Sequence, residues 1–487
     1  MKSFRQQVAV ITRSSFFVNS FWGIFSNIIQ NILFSGFFII LARVYSKMDF
    51  ANYIIANSLY GMLVALSSLG LGQWFIREVI SVLDKKQFTH QYFKLQLLLG
   101  ILFYLLHIGV AFTLYSDQLI RDLSLLLGIN IVFDNIIYVI KHINIAEENQ
   151  RKTFLILTLE ATLKFFTGCL LLFTVIPILY LLIVLIFLRL VTLNLFLHYG
   201  TSGSLSLKSI LRAKANWPSA VRVIRQNLPF VIIGSLSVIY WRIGNVFVSK
   251  FLAMDDVADY EVSFKLFSIA EILPFIVSTS LFPILVKASK NGAGSANIIF
   301  KQFFYLYALY GLMAYTFIIS YSNYILPFLF GTAYVDTSMY CNEMFLAILV
   351  FPTALLQANL LVSLKLEKID MWLNLVSLVL HIIFSLIGIY YFSSLSVICY
   401  SIFSSFFIFH LLQDYILVRK GILSLSHCLS FYLGSILCLF IYYLFSIWVE
   451  ANILFPIFWS IVFILIGYGL YFLDKKNIYK IRVSFSV

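Results

Sequence analysis

The sequence predicts an all-α, polytopic membrane protein, and three observations carry that prediction. Of the 487 residues, 61% are hydrophobic and 11% charged, with a mean hydropathy of +0.96; a soluble domain has about 45–50% apolar and about 25% charged residues. Apolar stretches recur along the whole chain at the length that spans about 30 Å of hydrocarbon, roughly 20 helical residues. These stretches carry no period-two alternation, which excludes barrel strands and leaves helices as the way to satisfy the backbone in lipid.

Taken in order, apolar stretches bounded by charge, proline or glycine define fourteen spans. The first, 20–42, follows Lys2, Arg5 and Arg13. It runs without a small-residue cleavage site behind a short core, so it reads as a retained helix. Spans 53–76 and 93–115 flank a charged connection, and 118–140, 154–176 and 178–199 follow at short intervals. The longest polar connection, 200–227, contains a basic amphipathic piece suited to anionic headgroups. Spans 228–250, 260–286, 300–321, 338–362, 370–392 and 395–418 come next, and 427–449 and 452–473 close the chain.

Basic residues test this order, because Lys and Arg of short loops collect on the cytoplasmic side. With both termini cytoplasmic, about 26 Lys and Arg fall inside and 4 outside (Arg43, Lys47, Arg121 and Lys250). The formal charge of +13 is therefore spread over short loops, which removes nucleic acid as a partner. The cysteines, Cys169, Cys341, Cys399, Cys428 and Cys438, stand singly without Cys-x-x-Cys or Cys/His metal spacing and read as packing residues.

An internal repeat is also legible. KMDFANYIIANSL (47–59) and MDDVADYEVSFKL (254–266) share Asp, Ala, Tyr and Leu at one constant offset, at the same outer corner of each half. The expected organisation is a first lobe of helices 1–6 (1–199), a cytoplasmic linker (200–227), a second lobe of helices 7–12 (228–420), and helices 13–14 with a cytoplasmic tail (421–487).

Several segments resemble the multidrug/oligosaccharidyl-lipid/polysaccharide (MOP) exporter superfamily, most closely its polysaccharide-biosynthesis branch of Wzx-type O-antigen or capsule repeat-unit flippases. They are LARVYSKMDFANY (41–53), GLGQWFIREV (70–79), NLPFVIIGSLSVIYWRIGNVFVSKF (227–251), VADYEVSFKLFSIAEILPFIVSTSLFPIL (257–285) and LFGTAYVDTS (329–338). The chain departs from the family pattern at Ala51 and Ala258, where glycine is common, and at Gly244, where an acidic residue is common. The resemblance implies a MATE-like pair of six-helix lobes with two further helices beside them. It also implies alternating-access transport of undecaprenyl-diphosphate-linked oligosaccharide from the inner to the outer leaflet of the bacterial cytoplasmic membrane. The expected partners are that lipid-linked substrate, membrane lipids, and polymerase and chain-length proteins of the same pathway. No cofactor is expected other than a coupling proton or sodium ion.

Ionisable groups at mid-depth cost roughly 2.5–3.5 kcal/mol each on the insertion scale and need a reason to be there. Arg242, Arg189, Lys164 and Lys265 are the candidate substrate ligands, since guanidinium and ammonium groups suit a diphosphate and acidic sugars. The resemblance places Arg242 at the central cavity; the competing reading pairs it with Glu271. Asp134, Glu271 and Glu160 are the candidate ion-coupling acids. Asp134 shares a helix face with Asn130, and Glu271 precedes Pro274, whose missing N–H frees a carbonyl. Glu160 and Lys164 also stand at the i, i+4 spacing of an intrahelical ion pair, as do Glu261 and Lys265. Arg189 has no acid within four residues and needs a partner across the bundle. His381 reads as a core histidine satisfied by a neighbour. Asp255, Asp256 and Asp259 form a D-D-x-x-D string that reads as a solvated helix start.

An alternative to flipping is MATE-like cation-coupled efflux of small molecules, which Asp134 would serve. A third reading, a membrane polymerase or ligase, calls for a large outer loop; the longest outer connection, near 322–337, has about 16 residues. No catalytic residues are expected.

Overall fold

The computed structural model describes residues 15–174, 176–200, 217–290, 292–448 and 459. Among them there is no strand, and twelve helical stretches are long and apolar enough to cross a bilayer by length and composition. The span expected at 452–473 lies outside the described residues except for Trp459, as does 201–216 of the linker. The chain divides into two compact units, Met1–Ala258 and Asp259–Val487.

The first unit contains α1 (Ser15–Val44), α2 (Lys47–Ser67), α3 (Gly72–Ser81), α4 (Lys85–Leu114), α5 (Gln118–Ala146), α6 (Gln150–Leu171), α7 (Ile178–Tyr199) and α8 (Trp217–Phe251). Lipid gives helices no hydrophobic reason to associate, so close backbone approach at small residues holds them together. Gly36 of α1 lies against Phe165 of α6 while Gly168 of α6 lies against Phe37 of α1, and a Cβ at either would come within 2.7–2.8 Å of the ring. Gly128 of α5 receives Tyr104 and His107 of α4 in the same way. Leu102, Leu105 and Leu106 of α4 remain exposed, as a lipid-facing surface requires.

Two departures from the expected spans have local causes. The stretch 53–76 is not one helix. Leu69 (φ 48°) and Gly70 (φ 55°) are both left-handed and break it between α2 and α3. The new helix is pinned where the Tyr138 hydroxyl accepts from Gly72 N at 2.9 Å. In the linker, 217–227 is already helical, giving α8 35 residues; Pro218 is tolerated in a first turn, where its missing N–H costs nothing. The sequence reading groups α8 with the second lobe, whereas here it belongs to the first unit and packs on α2. Asn245 Nδ2 donates to Ser58 Oγ at 3.0 Å and Ser235 Oγ to the Ala65 carbonyl at 3.3 Å.

Helix α9 (Met254–Ser289) leads into the second unit. The unit continues with α10 (Ala293–Phe330), α11 (Ser338–Met344), α12 (Phe351–Ser363), α13 (Glu367–Phe392), α14 (Leu395–Arg419) and α15 (Leu425–Trp448). The expected span 338–362 is interrupted by a 3-10 turn at Phe345–Leu349. Pro352 has no N–H for the Ile348 carbonyl, and Gly311 of α10 packs directly onto that carbonyl.

The repeat is visible as matched helix starts. In α2, Ser46 Oγ accepts from Asp49 N at 3.1 Å. In α9, Asp256 Oδ2 accepts from Ala253 N at 3.1 Å. Asp49 and Asp256 therefore sit at the same position of the first turn, where an acid also favours the helix dipole. Ala51 and Ala258 are both fully buried one half-turn on. Asp259, the last member of the D-D-x-x-D string, is buried and accepts from Thr337 Oγ1 at 2.6 Å.

Candidate functional site: a charge network in the first unit

Four helices of the first unit bring four charged side chains and one phenol together. Arg189 of α7 donates through Nε to Asp134 Oδ1 of α5 at 2.9 Å, and Nη2 reaches the same oxygen. Its Nη1 donates to Glu160 Oε2 of α6. Lys164, one turn further along α6, lies 2.7 Å from Glu160 Oε1 and 5.6 Å from the ring centroid of Phe34. Tyr60 of α2 donates to Asp134 Oδ2. The side chains are 17% (Arg189), 13% (Asp134), 2% (Glu160) and 21% (Lys164) exposed, so burial is deepest at Glu160.

The i, i+4 pair Glu160–Lys164 forms as its spacing predicts. Arg189 finds its acids across the bundle, and it finds two. Asp134 is held by Arg189 and Tyr60 rather than sharing a ligand set with Asn130, whose Oδ1 has no hydrogen-bond partner among the described residues. The reason is charge: a guanidinium within reach satisfies a carboxylate better than a neutral amide.

Two members escaped the sequence reading. Tyr60 is one of 29 tyrosines, and nothing local distinguishes it. Lys141 falls one residue beyond the expected span 118–140. It stands on α5 two turns beyond Asp134 and interacts electrostatically with Arg189, Asp134 and Glu160. Its i, i+7 relation to Asp134 was the available signal. Counted together, Arg189, Lys164 and Lys141 exceed the two acids by one positive charge.

The other sequence candidates lie elsewhere. Arg242 of α8 is half-buried against α2, its Nε 3.9 Å from where a Cβ on Gly61 would stand, one residue from Tyr60. In the second unit Lys265 is half-buried on α9 and Glu271 is buried, with Oε1 lacking a hydrogen-bond partner among the described residues. The carbonyl that Pro274 frees is that of Ala270, and the Tyr310 hydroxyl of α10 occupies it at 2.5 Å. His381 Nδ1 pairs with Ser401 Oγ at 2.9 Å, in keeping with a core histidine. Among the described residues no group of three His, Cys, Asp or Glu side chains is placed to hold a metal ion.

Residues 16–289 match the family described as polysaccharide biosynthesis protein. The chain belongs to that family. No curated protein matches by sequence. Solved structures with a similar fold include the lipid II flippase MurJ in an inward closed conformation, at 15% identity and TM-score 0.66, covering 96% of this chain and 99% of that one. An inward-facing multidrug resistance MATE transporter is similar at 12% identity and TM-score 0.66, covering 81% and 94%. A MOP superfamily transporter from Pyrococcus furiosus follows at 13% identity and TM-score 0.56, covering 83% and 94%. The molecule is a multi-pass α-helical membrane protein with the fold of the MOP transporters.

Proposed function

We propose that this protein flips undecaprenyl-diphosphate-linked oligosaccharide repeat units, of the O-antigen or capsule kind, across the bacterial cytoplasmic membrane by alternating access. Family membership and a fold shared with a lipid II flippase support a lipid-linked substrate. The observation that carries the chemistry is the network of Arg189, Lys164 and Lys141 with Asp134 and Glu160.

In the structure three donors of Arg189 are taken by carboxylates. A diphosphate presents oxygens of the same geometry, so Arg189 can exchange one carboxylate for a phosphate without losing hydrogen bonds. That exchange leaves Asp134 with only the neutral Tyr60 hydroxyl, or Glu160 with Lys164 alone, and at low dielectric a proton or sodium ion offsets the positive charge the acid has lost. Substrate binding at Arg189 and cation binding at Asp134 or Glu160 are thereby linked, and each strengthens the other. Lys164 and Lys141 supply the attraction that brings the anion in. Arg242, beside Gly61 on the same helix α2 that carries Tyr60, is a further phosphate ligand in this account. Lys265 and Glu271 are assigned a supporting ligand and a second coupling acid.

The test is reconstitution. Purified protein in proteoliposomes carries a fluorescent undecaprenyl-diphosphate oligosaccharide from one leaflet to the other, and Arg189→Met abolishes transfer. Transfer of small organic cations without transfer of the lipid would favour the efflux reading instead.

A further inference from the structure

The second unit holds a polar line that the charge network does not use. His410 and Asp414 stand one turn apart on α14, and Tyr432 of α15 reaches between them. The Tyr432 hydroxyl donates to Asp414 Oδ2 at 2.7 Å and lies 2.6 Å from His410 Nδ1. Gln357 Nε2 of α12 donates to Asp414 Oδ1 at 2.6 Å, and the Cys428 thiol of α15 is hydrogen-bonded to the same carboxylate. The His410 side chain is 0% exposed and Asp414 8%. His410 Nε2 has no hydrogen-bond partner among the described residues; the rings of Phe431 and Phe304 stand 5.2 and 6.4 Å from the imidazole.

Counting protons along this line identifies what it binds. The Tyr432 hydroxyl has one hydrogen and gives it to Asp414. The contact with His410 then requires Nδ1–H to donate to the tyrosine oxygen. That tautomer leaves Nε2 as a bare lone pair inside the protein. The line then holds two protons and one negative charge, on Asp414, in an apolar setting where an uncompensated ion is costly. One further proton removes that charge. It either protonates Nε2 and makes His410 an imidazolium beside the carboxylate, or rests on Asp414, which then donates to the Tyr432 oxygen while Tyr432 turns its hydrogen to Nδ1 and the imidazole takes the Nε2–H tautomer. Both arrangements contain three protons and are neutral overall.

We infer that His410, Tyr432 and Asp414 form a proton-binding site in the second unit that takes up a single proton from water. Imidazole is the side chain whose charge ordinarily changes between pH 5 and 8. Tyr432, which is half-buried, and Asp414, whose side chain is 8% exposed, lie nearer to water than His410, and the Tyr432 hydroxyl joins the other two. Because Tyr432 belongs to α15, the protonation state is transmitted to the hydrogen bonds that seat this helix on α14.

The surrounding groups leave this assignment intact. On α15, Cys428 and His427 adjoin, the latter 3.3 Å from the Tyr305 hydroxyl of α10 and interacting electrostatically with both Lys301 and Asp414. On α13, Asp370 is hydrogen-bonded to Gln413. On α11, Glu343 is hydrogen-bonded to Ser396 and Tyr400, ten or more residues back along α14, about 15 Å away. None of these is hydrogen-bonded to His410.

The test needs no transport assay and is independent of the substrate reading. Full-length protein carrying 15N-labelled histidine is placed in lipid nanodiscs and followed by NMR from pH 9 to pH 5. The His410 signal is assigned by its loss in His410→Gln, or by its displacement in Tyr432→Phe, which keeps both end groups and is the milder change. The expected result is a neutral Nδ1–H imidazole at pH 9 that takes up a proton as the pH falls, with proton affinity at least tenfold lower in Asp414→Asn. A His410 signal unchanged over this range, or one whose midpoint Asp414→Asn leaves in place, overturns the proposal.

Discussion

Replacing Arg189 by methionine removes the guanidinium while keeping most of the side-chain length. Three donated hydrogen bonds disappear, two to Asp134 and one to Glu160. A charge-assisted bond contributes about 1.5–3 kcal/mol, so the gross loss is several kcal/mol. Two facts reduce it. Glu160 keeps Lys164 and Asp134 keeps Tyr60, and Asp134 at 13% exposed retains some contact with a polar surrounding. Breaking a buried pair from one side costs about 3–5 kcal/mol, and the residual partners place Arg189→Met at the lower end, about 3 kcal/mol. Asp134→Asn in the Arg189→Met background removes the stranded charge but preserves the Tyr60 contact. The double variant should therefore cost less than the sum of the singles by about 1–3 kcal/mol. The assay is the unfolding free energy of the four proteins in lipid bicelles. Additivity within about 0.5 kcal/mol would refute the claim that the two side chains depend on each other.

Three further outcomes follow from the same geometry. Asp134→Asn should abolish gradient-dependent transport in proteoliposomes while leaving binding of the lipid-linked substrate within a few-fold of wild type; loss of binding would move Asp134 out of the coupling role. Tyr310→Phe uncaps the Ala270 carbonyl that Pro274 frees, and should cost about 1 kcal/mol of unfolding free energy, a cost that Pro274→Ala in the same chain largely removes by restoring the helical donor. Gly311→Ala would press a Cβ onto the Ile348 and Leu349 carbonyls, and backbone cannot rotate away as a side chain can, so a loss of about 1–3 kcal/mol is expected.

Much of the fold was legible because membrane spans are set by length and composition, which a sequence displays directly. The breaks inside spans were legible only in part. The Gly70 and Gly72 pair and Pro352 were present as signals, but a hydropathy window averages over a four-residue turn and joins its two sides. The start of α8 was hidden for the opposite reason, since 217–227 is polar enough to read as a loop while being helical. In the charge network, the Glu160–Lys164 pair follows from spacing along one helix. Arg189 meets Asp134 from 55 residues away and Glu160 from 29, separations that carry no periodic signature. The His410–Tyr432–Asp414 line illustrates the same limit. His410 and Asp414 have helical spacing, but the hydroxyl that joins them comes from another helix. Where the sequence said only that an isolated intramembrane arginine must find an acid, packing determined which acids and how many.

The account's central claim is that this protein carries a lipid-linked anionic oligosaccharide through a path that uses the Arg189 network. The most direct measurement is the leaflet distribution of undecaprenyl-diphosphate-linked repeat units in cells lacking the protein, complemented by wild type or by Arg189→Met. The account predicts complete repeat units accumulating in the cytoplasmic leaflet, dispersed by wild type but not by Arg189→Met present at equal membrane abundance. Normal surface polysaccharide in the uncomplemented cells would contradict it.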